Sequence, residues 1–159
     1  MALGIIRKGG SLLLDLLLVL ESMQKELPEL VIGIGTVTEI EQLKQASENG
    51  ARFAVSAFLN ESLIEESQRL GLPYLPAVET TSEVARALKY GCNTLKLFPA
   101  ETMNGLKRLK DFQPVFPETK FIPTGGINQQ NFRDYLSLSN VLAVGGRWMT
   151  VSYTHLTLP

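Results

Sequence analysis

The chain is 159 residues long, 45% hydrophobic and 19% charged, with a formal net charge of −1, the make-up of one soluble domain large enough to bury a core. No basic excess or lysine/arginine block points to nucleic acid or a membrane surface, and a single cysteine, Cys92, excludes an internal disulfide and suits a reducing cytoplasm. One histidine, His155, and one cysteine cannot build a zinc-type site, which argues against metal-assisted chemistry and against serine–histidine or cysteine–histidine catalysis.

The first stretch, "IIRKGGSLLLDLLLVLESM", imitates a secretory signal with a basic start and an apolar run. Asp15 interrupts that run, and no small-x-small cleavage site precedes Glu21. It also falls short of the roughly 20 apolar residues that cross a bilayer. A buried helix over Ser11 to Lys25 is expected instead.

Six short apolar runs follow: "LVIGIG" ending at Gly35, then "RFAVSA", "PYLPAV", "TLKLFPA", "KFIPTGG" and "NVLAVGG". They recur at roughly 20 to 25 residues, and polar caps and amphipathic helices lie between them. Thr38 with Glu41, and Thr80 with Glu83, have capping-box spacing. Asn60 and Asn128 are expected to cap the helices running to Leu70 and Leu136, and Gly71 and Gly91 to end helices. In "TTSEVARALKYG", Val84, Ala87 and Leu88 form the apolar stripe, while Glu83, Arg86 and Lys89 face water.

Strands alternating with helices imply an α/β fold with a parallel sheet. No G-x-G-x-x-G opens a helix, and the polar residues gather at the C-terminal ends of strands, which favours a (β/α)8 TIM barrel over an open doubly wound sheet. Only about six strands are countable, so the barrel is expected to be incomplete, its first two strands missing or damaged.

The candidate chemistry centres on "NTLKLFPAE". Strand alternation puts Thr94, Lys96 and Phe98 on one face and Leu95 and Leu97 on the other. With the leucines under the helices, Lys96 points into the barrel. An amine kept from water is less readily held as ammonium and can attack a carbonyl, forming a Schiff base. A lysine at a strand end can also simply snorkel to solvent. Phe98 and Pro99 would wall the pocket, or pack as ordinary core. "PTGGIN" (Pro123–Asn128) and "VGGRW" (Val144–Trp148) close the last two runs; paired glycines and the helix start beyond them suit an anion, although tight turns use the same residues. Thr36 and Ser56 end earlier strands, as rim hydroxyls or as turn residues.

"VIGIGTV", "ARFAVS", "LPYLPAVETTSE", "LKLFPAE", "IPTGGIN", "NFRDYLSL" and "VLAVGGRWM", in this order, resemble the 2-keto-3-deoxy-6-phosphogluconate (KDPG) / 4-hydroxy-2-oxoglutarate (KHG) aldolase family over roughly Pro28 to Met149. The resemblance implies a class I aldolase that needs no cofactor or metal and assembles as a homotrimer. It matches Lys96 to the Schiff-base lysine and Thr124, Gly125 and Gly126 to the phosphate-holding segment. Gly145, Gly146 and Arg147 follow in the next loop, and Thr36 matches a threonine near the substrate carboxylate. The implied substrates are a keto-deoxy sugar acid or a hydroxy-keto acid, cleaved to pyruvate plus glyceraldehyde 3-phosphate or glyoxylate.

The chain departs from the family pattern in three places. The family's acid/base glutamate, in a string like "IEVTLRT", falls on Lys8 when counted back without gaps. Arg147 stands where serine is common. The tail "TVSYTHLTLP" lacks the closing helix pattern. The expected organisation is therefore a damaged N-terminal part with the first helix (1–27), an aldolase barrel core (28–149) and an atypical tail (150–159), with a corrupted reading frame as the source. Two other readings stay open: a catalytically impaired barrel fragment that only binds phosphate or partner chains, and a phosphate-binding isomerase that would use a strand-end glutamate instead of Lys96.

Overall fold

The computed structural model describes residues 3–7, 25–26 and 28–146. The chain divides into two compact units, residues 1–77 and 78–159. The first carries a four-stranded sheet in the order β1 (Leu3–Arg7), β2 (Val31–Gly35), β3 (Ala54–Val55), β4 (Tyr74–Leu75), and every neighbour in it is parallel. Parallel pairing demands crossovers, which α1 (Ile40–Glu48) and α2 (Glu61–Arg69) supply. Their inward faces and the strands bury Ile32, Ile34, Leu43, Ala46, Ala54 and Leu63 in one core. Full burial of each leucine or isoleucine side chain among them stabilises the fold by about 1.5–3 kcal/mol. Gly33 has a packing role there, since a Cβ on it would lie 2.6 Å from the Phe53 ring.

The second sheet runs β5 (Ala77–Val78), β6 (Thr94–Leu97), β7 (Lys120–Pro123), and β6 and β7 are parallel with Lys96 opposite Ile122. Between strands lie α3 (Thr81–Lys89) and, after a 3-10 turn at Glu101–Met103, α4 (Gly105–Phe112); α5 (Phe132–Leu136) follows β7. Val84, Ala87, Leu95, Leu97, Leu109 and Phe121 are fully buried. The Phe112 ring packs 5.5 Å from that of Phe121 and edge-on to Phe116 at 6.1 Å, a favoured aromatic geometry.

Several local expectations hold. Thr80 and Glu83 form the reciprocal box, with Glu83 N–H donating to Thr80 Oγ1 (3.3 Å) and Thr80 N–H to Glu83 Oε2 (2.8 Å). Asn60 Oδ1 accepts from Leu63 N (3.2 Å), and Gly71 and Gly91 take left-handed backbone just past their helices.

Others are corrected. A strand does form near the N-terminus: β1 pairs with β2 from Leu3↔Val31 to Arg7↔Gly35. "PYLPAV" is two strands, because Pro76 has no N–H for the ladder and separates β4 from β5. "NVLAVGG" contributes single bridges, Phe121↔Val141 and Thr124↔Gly145. Thr38 does not cap with Glu41; Gln42 Oε1 accepts the Thr38 and Glu39 amides instead (2.8 and 3.3 Å) and α1 starts one residue later. Asn128 shapes a turn before α5, accepting from Gln130 N (2.8 Å), while Asn131 is the residue at the helix start. Of the helix expected over 11–25, all but Lys25 lies outside the described residues. No described helix is long and apolar enough to cross a membrane.

Candidate active site

In β6 the flanking Leu95 and Leu97 are fully buried and Lys96 is 7% exposed. An alternating strand covered on both sides forces one of its faces to bury the lysine stem. Lys96 Nζ sits 4.4 Å from the centroid of the Phe98 ring, so the ring lies against the amine. The chain then turns through a cis Phe98–Pro99 bond into Ala100 and Glu101. These two residues stitch the end of β6 to the end of β7: Ala100 N donates to Thr124 O (2.9 Å), and Glu101 N donates to Gly125 O (3.0 Å).

Thr124 is buried, and its own amide donates to Leu97 O (2.9 Å). Beyond it, Gly125 and Gly126 have φ of +101° and +80°, a region where side chains are costly. The space is closed as well. A Cβ on Gly125 would meet the Phe98 ring at 3.3 Å, and one on Gly126 would meet Glu101 Cβ at 2.5 Å. Among the described hydrogen bonds neither glycine amide donates, and Gly126 is exposed. The turn thus offers backbone donors to solvent beside Lys96's strand. The helix start expected next to it is displaced: α5 begins at Phe132 and has only five residues.

Gly145 joins this cluster, since its amide donates to Pro123 O (2.9 Å) and a Cβ there would come within 3.0 Å of Thr124 Cγ2. Gly146 is half-buried beside it in sequence, and Arg147 lies outside the described residues. Lys96, Phe98, Pro99, Thr124, Gly125 and Gly126 are therefore carried by the neighbouring ends of β6 and β7, and Gly145 is bridged to Thr124 from the later segment.

Thr36 and Ser56 belong to the first unit. Ser56 is a turn residue: its hydroxyl donates to Phe58 O and accepts from Phe58 N (3.2 Å). Thr36 is exposed and holds φ +63°, an outlier for a β-branched residue that costs about 1–3 kcal/mol. Two residues that the sequence reading leaves without a role, Glu101 and Tyr135, also touch: the Tyr135 hydroxyl donates to Glu101 Oε1. Among the described residues no cluster of three or more His, Cys, Asp and Glu could hold a metal ion. An open cleft of about 280 Å³ lined by Thr81, Asn104, Lys107, Arg108 and Asp111, among others, includes none of the predicted site residues.

A parallel α/β fold here carries a buried strand lysine beside a glycine turn. The family model "Aldolase: KDPG and KHG aldolase" matches residues 16–156. The chain is 40% identical over 130 residues to the KHG/KDPG aldolase of Escherichia coli K12, covering 82% of this chain and 61% of that one. It superposes on the KDPG aldolase of Legionella pneumophila, captured with pyruvate as a covalent carbinolamine, with a TM-score of 0.89 and 34% identity over 97% of this chain and 73% of that one. For the Zymomonas mobilis KDPG aldolase with 3-phosphoglycerate, the values are 0.85, 34%, 92% and 68%. The chain belongs to the KDPG/KHG aldolase family and shares its TIM-type α/β fold. It spans about three fifths of the length of the curated relatives it matches.

Proposed function

We propose that this chain is a class I aldolase that reversibly cleaves 2-keto-3-deoxy-6-phosphogluconate to pyruvate and glyceraldehyde 3-phosphate, or 4-hydroxy-2-oxoglutarate to pyruvate and glyoxylate. The observation that carries the reading is Lys96, buried in β6 against Phe98 and stitched through Ala100 to the Thr124–Gly126 turn. Its family relatives support it, among them the Legionella enzyme with its covalent pyruvate.

In the cleavage direction, neutral Lys96 Nζ adds to the C2 carbonyl and water leaves, giving a protonated imine. The C4 hydroxyl then loses a proton as the C3–C4 bond breaks, releasing the aldehyde. The electron pair flows into the imine to form an enamine. Protonation at C3 and hydrolysis by water return pyruvate and the free amine. The imine is the electron sink, so no metal is needed. The Thr124, Gly125 and Gly126 segment, with Gly145, Gly146 and Arg147 from the next loop, would hold the substrate's far anionic end. The family resemblance matches Thr36 to a threonine near the substrate carboxylate, and its strained backbone supports a selected position over a casual one. Phe98 and Pro99 would exclude water from the amine.

On this reading the core of the enzyme is residues 28–149, arranged as an incomplete barrel, assembled as a homotrimer and working in the cytoplasm. The family's acid/base glutamate has no counterpart at Lys8, a loss worth about 10²- to 10⁴-fold in rate. That absence favours a second reading, a fragment that binds phosphate or partner chains without turnover. Incubation with pyruvate and borohydride tests the first reading. Irreversible mass addition at Lys96 is expected, while labelling at another lysine or none in folded protein would falsify it. Labelling without pyruvate release from the full substrates would select the second.

A further inference from the structure

Behind the glycine turn lies a side-chain pair that the aldolase steps do not use. Tyr135 on α5 is fully buried, and its hydroxyl donates to the carboxylate of Glu101, 34 residues earlier. Glu101 in turn grips the turn twice: its amide donates to Gly125 O (3.0 Å), and its Cβ fills the space a side chain on Gly126 would take. The phenol is seated with equal care, since a Cβ on Gly105 would lie 2.9 Å from its oxygen. Burial pushes the Tyr135 phenol's pKa up, and the hydrogen bond and charge of Glu101 push the same way, so the hydroxyl remains a donor at any working pH.

Two successive glycines are the most entropically costly residues to hold in one conformation. Backbone donors recognise an anion well only when they are held in place beforehand. The structure assigns Glu101 and Tyr135 as a positioning pair: their hydrogen bond holds the Gly125–Gly126 turn in the geometry that takes a phosphate monoester. It thereby sets affinity for phosphorylated substrates without touching the chemistry at Lys96. The nature of the anion rests on the aldolase reading; the clamp itself rests on the contacts.

The test separates the two. Inorganic phosphate is titrated into the ¹⁵N-labelled full chain, reading the Gly125 and Gly126 amide shifts, while pyruvate–borohydride labelling at Lys96 is measured in parallel. Tyr135→Phe and Glu101→Ala should weaken phosphate about tenfold, the effect of one lost hydrogen bond in a preorganised site. Glu101→Gln keeps an acceptor for the hydroxyl and should stay within about twofold of wild type. All three should label at Lys96 as wild type does. Should Tyr135→Phe fail to fold, the Glu101 variants, altered at an exposed side chain, carry the comparison alone. The pair is overturned if Tyr135→Phe or Glu101→Ala binds phosphate normally, if Glu101→Gln is as weak as Glu101→Ala, or if phosphate leaves the wild-type turn unmoved. The expected weakening of phosphate by Tyr135→Phe and Glu101→Ala, with no labelling of the wild type at Lys96, would uphold the clamp and overturn the aldolase reading.

Discussion

The ends of β2 and β3 and the ends of β6 and β7 are built from the same small polar vocabulary and put it to different uses. At β3, the Ser56 hydroxyl is consumed by its own turn through Phe58. At β2, Thr36 stands exposed in a backbone conformation that disfavours it. At β6 and β7, consecutive residues are linked across strands by Ala100–Thr124 and Glu101–Gly125 bonds, and each glycine is crowded by a β6-side neighbour. Residue type at a strand end does not mark a site.

Mutations can break this contrast. Lys96→Ala should have the largest effect, abolishing borohydride labelling and cutting pyruvate release by on the order of 10³-fold or more, because the covalent route is lost. Gly126→Ala comes next. Its positive φ and the 2.5 Å approach to Glu101 Cβ should cost about 2 kcal/mol in urea denaturation, and phosphate binding should fall with it. At the other strand ends, Thr36→Gly should raise stability by about 1 kcal/mol by relieving its backbone, yet raise KM. Ser56→Ala should lower stability by a similar amount, about 1 kcal/mol, and leave KM alone. Equal kinetic behaviour of those two variants would erase the contrast between them.

The smallest effect lies away from both regions. Burial pushes the Glu83 carboxyl up, but hydrogen bonds from the Glu79 amide and from the Thr80 hydroxyl and amide outweigh it, with help from Arg86, and hold it below the ordinary carboxylate range. A depressed folded pKa means that its stabilisation is present at neutral pH and lost as pH falls through that range. Glu83→Gln should therefore cost about 0.5–1 kcal/mol at pH 7. The gap should narrow as pH falls from about 5 toward 2 in denaturation curves. A gap independent of pH would mean that the cap works through shape alone.

What was legible in the sequence is what short range decides. Lys96 between two leucines, the Thr80–Glu83 box and the Asn60 cap each depend on residues within four positions, so their spacing carries the information. The strand at Leu3–Arg7 was not legible, because its evidence is a partner, β2, more than twenty residues away. Pro76 hid a strand break inside one apolar run. At the start of α5, Asn128 and Asn131 compete for the same task, and spacing cannot rank them. The Glu101–Tyr135 bond spans 34 residues; the letters of "FPAE" and "RDYL" give no hint that they meet. Within the proposed site, the contacts that hold the residues together were not readable.

Gly33 carries one more lesson. Because the Phe53 ring occupies the volume where a methyl group on residue 33 would sit, 2.6 Å away, the two positions form a lock-and-key pair that sequence drift must change in concert. A branched residue at 33 becomes tolerable only alongside a trimmed residue at 53, such as alanine or serine. Anyone diversifying this scaffold should randomise both codons together or neither.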